Sequence, residues 1–424
     1  MERQSATNVE RAHVEERRPP RLFGNPRRTR AVGLIGVRKN GHSSGPIFFC
    51  LAAATTRRIP RVVAGAKRRW PRFLYNAVMA TALLGLGSNL GDRAAALGKA
   101  MELLRGDSQI RVEGVSSYRQ SKPAGGPAGQ GEFINACARL ETSLAPEELL
   151  AKLLTIEDQV GRVREERWGP RVIDLDLLLY DRVEMKTPTL ELPHPRMCYR
   201  RFVLEPAAEI AGEMVWPVNG WSVGKLLEYL TQSKPYIALH GTDSSTGPLL
   251  KGISKATCCR TIERRDEVEF SDSDQAAPWL SSCELLTTSS MKSLKWHAAV
   301  IAKDNWPTTD HWTLSDFWFF AFQIECDGIP TDLVPKEKYV ALWQTLVEGT
   351  VKPRLVVTLQ DDIRLHSPGD EPQRRDHATR LIRERNENAE RLSRDSRVGP
   401  VLKLSAVNPS LCLREVLAAM QAME

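Results

Sequence analysis

Long apolar runs are missing from this 424-residue sequence. A membrane-crossing helix needs roughly 20 consecutive apolar residues. The best stretch, Ile47–Ala54, is too short, and it follows a polar segment no secretory signal would have. Paired cysteines are missing too. Eight cysteines are scattered, none in a CxxC pair and none beside histidine at zinc-ligand spacing, and Cys258 and Cys259 are adjacent. That usage excludes a disulfide scaffold and a zinc site, and it suits a reducing, cytoplasmic setting. No GxxxxGK[ST] occurs, so the loop whose amides and lysine cradle nucleotide phosphates is absent. No internal repeat of solenoid type is present.

Acidic residues are scarce only at the start. Residues 1–78 hold seventeen Lys and Arg against four acids, so the net charge of +7 belongs to that segment and the rest is mildly acidic. A specific nucleic-acid partner is therefore not expected. Residues 1–78 read as a disordered basic extension. Met79 directly precedes a clean strand, so an upstream extension that the native protein lacks is the favoured reading. A basic tail and a transit peptide stay open, the latter disfavoured by Glu2, Glu10, Glu15 and Glu16.

Order begins near residue 81. Ala82–Leu86 reads as a strand, and Asp92–Leu104 carries a helical stripe of Ala96, Leu97, Ala100, Met101 and Leu104. Val112–Tyr118 and Phe133–Leu140 read as strands around a Gly/Pro-rich loop. Pro146–Val160 is a helix with proline in its first turn and Gly161 at its exit. Val172–Tyr180 closes a β-α-β-β-α-β series, which predicts an α+β domain of ferredoxin-like type over residues 79–230, with two helices on one face of an antiparallel sheet. Residues 231–290, Ser/Thr-rich and weakly periodic, read as a linker, and a second domain follows over 291–424.

The chemistry concentrates before and within Val172–Tyr180. Side chains alternate faces along a strand, so Asp174 and Asp176 point the same way, while Ile173, Leu175, Leu177 and Leu179 fill the other face. Two like charges about 6–7 Å apart at Cα are unfavourable unless a cation lies between them. Such a pair can hold Mg²⁺, which keeps several waters and binds substrate phosphates. A lone DxD is more often two surface acids. Here Arg162, Arg164, Arg167 and Arg171 lie within the preceding residues. Arginine forks match phosphate oxygens, and cations beside metal-binding carboxylates are what phosphoryl-type transfer needs.

The run GRVREERWGPRVIDLDLLLY resembles the central motif of the hydroxymethyldihydropterin pyrophosphokinases. LLGLGSNLGDR, with Gly87, Ser88, Asn89 and Leu90, resembles that family's first strand and turn, and FINA and ELPHPRMCYRRFVLEP resemble two further blocks in the same order. The resemblance implies Mg-dependent transfer of diphosphate from ATP to 6-hydroxymethyl-7,8-dihydropterin, with AMP as the other product. It implies two Mg²⁺ ions on Asp174 and Asp176, and Arg162 and Arg171 as catalytic cations. It implies ATP contacts from Glu157, Arg164, Arg167, Trp168, His194 and Arg200. Phe133 and Phe202 would sandwich the pterin ring and Asn135 would read its edge. Taken singly, the two phenylalanines are more often core residues and His194 an ordinary histidine; their shared order raises them. Pro195 and Arg201 depart from the residues often seen at those places. A non-catalytic nucleotide-binding or assembly protein is the alternative of a different class.

The C-terminal half loosely resembles deoxynucleoside kinases of the P-loop class through DFWFFAFQIE, KPRLVVTLQ and RLSRDSRVGPVLKLSAVNP. Lacking GxxxxGK[ST], it is expected to be a degenerate α/β kinase-like domain used for assembly or regulation, which leaves self-association through it open. Arg380, Arg383, Arg385, Arg391, Arg394 and Arg397 are read as a solvated helix face paired with Glu384, Glu387 and Glu390 rather than a phosphate clamp.

Overall fold

The first described strand, β1 (Ala80–Ser88), is apolar on both faces and lies in the interior of its sheet. Helix α1 (Arg93–Gly106) starts where the Asp92 carboxylate accepts the Ala95 N–H at 3.0 Å. Then come β2 (Ile110–Val115), β3 (Arg119–Ser121) and β4 (Phe133–Thr142). Helix α2 (Pro146–Val160) has proline in its first turn, and the Glu148 carboxylate accepts the Ala145 N–H at 3.0 Å. It ends at Gly161, whose φ of 110° suits glycine. Strand β5 (Asp174–Tyr180) completes an antiparallel sheet of order β2-β4-β1-β5, with β3 pairing the outer part of β4. These positions come from a computed structural model describing residues 79–163, 168–263, 297–307, 311–318, 320, 343–345, 347–360 and 372–424.

One face of this sheet packs on α1 and α2 through Leu84, Leu86, Leu97, Leu153 and Leu175. The other face is also covered, which corrects the expectation of helices on one face only. Helix α3 (Arg201–Ala211) follows the hairpin of β6 (Met185–Lys186) with β7 (Glu191–Leu192), helix α4 (Val223–Gln232) follows that of β8 (Val215–Trp216) with β9 (Trp221–Ser222), and both helices lie there. Leu83, Cys137 and Leu178 meet Leu204 and Leu226 in that second core. The alternation along β5 breaks at its end. The β1–β5 register shifts between Leu83 and Leu84, so Leu178 and Leu179 both join the α3/α4 core, whereas Ile173, Leu175 and Leu177 pack toward α1 and α2.

The segment expected to be a linker carries regular structure over its described part. Strand β10 (Tyr236–His240), helix α5 (Asp243–Thr257) and strand β11 (Arg260–Ile262) precede β12 (Thr313–Ser315), β13 (Leu355–Gln360), helix α6 (Pro372–Ser393), β14 (Val401–Ser405) and helix α7 (Pro409–Met423). The remainder of the linker expectation, 264–290, lies outside the described residues. All five strands are parallel in the order β11-β12-β10-β13-β14, so β10 occupies the centre of its sheet. A buried parallel strand needs apolar residues on both faces, which Tyr236, Ile237, Ala238 and Leu239 supply.

All described residues belong to one compact unit. Ile237, Leu239, Leu355 and Val416 share a core with Leu83, Leu178 and Leu204, so the two sheets are joined through α3, α4, α5 and α7 without a gap. Helix α7 begins with the Asn408 side chain accepting the Leu411 N–H at 3.0 Å. It buries Val416, Ala419, Met420 and Met423, and each large side chain among these is worth about 1.5–3 kcal/mol of burial. No helix among the described residues is long and apolar enough to cross a membrane.

Candidate active site

Asp174 and Asp176 sit on β5 opposite two glycines of β1: Gly87 pairs with Asp174 and Gly85 with Asp176. Bare backbone at those places leaves a trough beside the carboxylates. A Cβ at Gly87 would come within 3.3 Å of the Asn135 amide oxygen and 3.7 Å of the Phe133 ring. Asn135 is directly across from Gly87 on β4, and Phe133, two residues earlier, projects to the same side. The Asn135 amide donates to Ser121 Oγ on β3 at 2.8 Å, which fixes its plane and leaves its carbonyl oxygen toward the trough.

The two aspartates differ in surroundings. Arg162 Nη1 donates to Asp174 Oδ1 at 2.6 Å, and Arg171 Nη1 donates to Oδ2 at 2.7 Å. Asp176 lies 3.9 Å from Arg200 and is the more open, 37% exposed against 22%. Behind Arg162, the Glu157 carboxylate accepts from that same guanidinium and from the Leu175 N–H at 2.8 Å. Burial works against the Arg162 charge, but Asp174 and Glu157 outweigh it and hold its pKa above the ordinary arginine value. Glu157 is 1% exposed and does not line the cavity. Its geometry is that of a brace for Arg162 and β5, not of the nucleotide contact expected from sequence.

Arg171 is held from both sides of its backbone. Its N–H donates to the Asn89 side chain at 2.8 Å, and its carbonyl accepts the Asn89 N–H at 3.1 Å. The turn after β1 thus anchors the residue that grips Asp174, a role the sequence analysis did not give to Asn89. Its only sequence signal was its place in the GSN run.

His194 follows β7 with its N–H donated to the Leu178 carbonyl at 2.9 Å, and its Nδ1 accepts the Arg196 N–H at 3.2 Å. Desolvation, then the nearby Arg200 and Arg196, push its pKa down from 6.5 to about 3. The ring is therefore neutral at physiological pH, and Nδ1 acts as an acceptor. The Arg200 guanidinium lies 5.6 Å from the Phe202 ring centroid, and the Arg171 guanidinium lies 5.9 Å from that of Phe133.

One cavity of about 290 Å³ gathers these groups. Phe133, Asn135, Arg162, Trp168, Arg171, Asp174, Asp176, His194, Arg200 and Phe202 all line it. Arg164 and Arg167 lie outside the described residues. Sequence reasoning missed Arg196, Tyr199 and Ser121, and it missed a whole wall formed by Glu415, Ala418, Ala419 and Ala422 of α7. Nothing in local sequence ties α7 to this place.

The donor set suits magnesium. Two neighbouring carboxylates offer hard oxygen, and Mg²⁺ takes its other ligands from water and substrate phosphates. Among the described residues no cluster of three or more His, Cys, Asp or Glu could form a protein-only cage. Both Asp174 oxygens are engaged by arginines, so an arriving cation must share or displace those contacts. The arrangement as a whole combines the carboxylates of Asp174, Asp176 and Glu415, four arginines, the rings of Phe133, Trp168, Tyr199 and Phe202 and the Asn135 amide around one hollow. Chemically it can hold a polyanion beside a flat heteroaromatic ring.

The model of the family described as 7,8-dihydro-6-hydroxymethylpterin-pyrophosphokinase (HPPK) matches residues 83–212. A 2-amino-4-hydroxy-6-hydroxymethyldihydropteridine pyrophosphokinase of Synechocystis is 44% identical over 147 residues, 35% of this chain and 74% of that protein. A protein of the same name from Methylorubrum extorquens is 46% identical over 156 residues, 37% of this chain and 96% of that protein. A solved structure of Plasmodium falciparum HPPK-DHPS covers 81% of this chain and 86% of its own at 11% identity and a TM-score of 0.30, a superposition too loose to carry a structural argument.

Proposed function

The chain belongs to the hydroxymethyldihydropterin pyrophosphokinase family, and we propose that its diphosphate transfer from ATP to the pterin alcohol takes place in the cavity beside Asp174 and Asp176. The observation carrying this reading is the convergence of both carboxylates, Arg162, Arg171 and Arg200 with Phe133, Phe202 and Asn135 on one hollow.

In this reading Asp174 and Asp176 hold magnesium, as two ions, when ATP is present. Bound there, magnesium supplies neutralisation of the phosphate oxygens. Arg162 and Arg171, released from Asp174, turn their forks to the polyphosphate. Arg200 serves the same charge from the Asp176 side. His194, neutral, offers a hydrogen-bonding nitrogen rather than a charge. Phe133 and Phe202 grip the two faces of the pterin, whose edge meets the Asn135 amide. The pterin hydroxymethyl oxygen attacks the β-phosphorus and AMP leaves, with no covalent enzyme intermediate. Trp168 lines the cavity on the side given to ATP, and Arg164 and Arg167 serve in this proposal as further ATP contacts. The cavity as it stands is at the small end for a ligand site. Both substrates together need the Asp174 clamp to open and re-form.

We read residues 79–230 as the catalytic domain, ferredoxin-like in type; the sheet order β2-β4-β1-β5 supports this. We read the C-terminal sheet as a kinase-like α/β domain without a Walker A loop. The junction between β10 and α5 supports that reading: strand, loop and helix follow as they do around a P-loop. Its hydroxyls bond one another, with Thr242 Oγ1 at 3.0 Å from both Ser244 Oγ and Ser245 Oγ. The chain acts in the cytoplasm, and the C-terminal domain serves assembly, including self-association, in this proposal.

The test is a product assay with the full chain, magnesium, 6-hydroxymethyl-7,8-dihydropterin and ATP labelled at the β-phosphorus. The label should move into the pterin ester while unlabelled AMP appears. Label retained in ADP would overturn the reaction.

A further inference from the structure

The wall contributed by α7 is more than a lid of small residues. Glu415 is buried, and its carboxylate takes both arms of the Arg196 guanidinium: Nε donates to Oε2 at 3.0 Å and Nη2 to Oε1 at 2.8 Å. A fork-to-carboxylate pair of this kind fixes direction as well as charge. Arg196 is thereby held with its guanidinium 6.0 Å from the Trp168 ring centroid, while its N–H donates to His194. Asp176 lies close enough to favour the same cation, so Arg196 has two carboxylates within its electrostatic reach.

Two further contacts tie α7 to the same rim. The Gly125 N–H donates to the Gln421 side-chain oxygen at 2.8 Å. Gly125 has φ +80°, and a Cβ there would stand 2.9 Å from Ala418 and 3.1 Å from Trp168. At the end of the helix, the Glu424 carbonyl accepts from Arg201 at 3.0 Å. Two separate segments around the cavity, near residues 125 and 196–201, thus rest on one helix more than 200 residues away in sequence, and Trp168 sits against Arg196 beside them.

We infer that α7 is an integral wall of the pyrophosphokinase site and that Glu415 is a positioning residue, acting through Arg196. With Glu415 in place, Arg196 stays on Trp168 and off Asp176. Without it, the freed guanidinium turns to Asp176 and competes with the magnesium of the incoming nucleotide. The C-terminal domain therefore supplies a working part of the N-terminal site. This inference rests on the proposed placement of nucleotide at Asp174 and Asp176.

The test compares five full-length proteins: wild type, Glu415→Gln, Glu415→Asp, Arg196→Gln and the double variant Glu415→Gln with Arg196→Gln. Calorimetry measures binding of a non-hydrolysable MgATP analogue to each, and thermal melting checks that each is folded. Glu415→Gln should weaken analogue binding about tenfold, a typical coupling for contacting charged residues. Arg196→Gln should erase that effect, so the double variant binds like Arg196→Gln alone. Glu415→Asp should recover part of the loss. In turnover, the KM for MgATP should rise far more than kcat falls. Glu415→Gln binding like wild type, or a double variant whose losses simply multiply, would overturn the inference. AMP release by the wild-type chain is the separate check on the reaction, so failure of the reaction and failure of the Glu415 coupling give different results.

Discussion

The two sheets place comparable junctions before us with opposite contents. At the start of β5, carboxylates face a trough kept open by Gly85 and Gly87, and their charges are balanced by arginines from three segments. At the end of β10, the first turn of α5 is bonded back to the loop before it: Thr242 Oγ1 meets both Ser244 Oγ and Ser245 Oγ, and a Cβ at Gly241 would meet Ser245 Oγ at 2.9 Å. The difference teaches that a ligand site needs unspent polar capacity and room, not merely a strand that ends near a helix. The first site has both, chiefly at the more open Asp176, whereas at the second the hydroxyls bond back to Thr242.

Substitutions at the first junction should therefore be costly and those at the second mild. The largest effect is expected for Asp176→Ala in the full chain, a loss of AMP release of about 10³-fold or more, measured by product chromatography. Turnover near wild type would place the chemistry elsewhere. Next, Glu157→Ala leaves Arg162 without its buried brace. It should lower stability by about 3 kcal/mol in urea unfolding, the order of cost for breaking a buried pair. A shift within error would show that Asp174 alone satisfies Arg162.

A smaller effect concerns pH. The folded-state pKa of His194 is about 3, below its ordinary 6.5. Between those values the unfolded chain binds the extra proton, so stability is full above pH 6.5 and is lost as pH falls toward 3. The slope is up to about 1 kcal/mol per pH unit, less where water reaches the ring. His194→Gln should flatten the dependence of the unfolding midpoint between pH 6.5 and 4, and an unchanged slope would assign it to other groups. The smallest effect belongs to the second junction. Thr242→Val should leave AMP release unchanged and shift stability by less than about 1 kcal/mol. Phosphorylation of a deoxynucleoside by the wild-type chain would erase the contrast altogether.

Much of the first junction was legible because its signals are short-range. Period-two alternation put Asp174 and Asp176 on one side, and Pro146 and Gly161 bounded α2 as expected. The alternation failed at Leu179, because the register shift opposite Leu83 is a pairing event that one strand's sequence does not encode. Glu157 was expected to contact the nucleotide and lies buried behind Arg162, off the cavity. Its burial depends on Arg162 and the Leu175 N–H, which pattern alone cannot place. β10 was lost inside a presumed linker: four apolar residues and a histidine before a Ser/Thr-rich stretch are too short to distinguish a central strand from a loop flank. The α7 wall was invisible for a different reason: its docking against Arg196 and Gly125 joins residues hundreds apart.

The most direct measurement of the central claim replaces magnesium with Mn²⁺ and counts bound ions by electron paramagnetic resonance, with a non-hydrolysable ATP analogue and the pterin present. Wild-type chain should bind two ions whose signal broadens on the nucleotide, and Asp174→Asn and Asp176→Asn should each lose at least one. Two ions retained in both variants would contradict the account, because the metal and the phosphates would then meet away from β5.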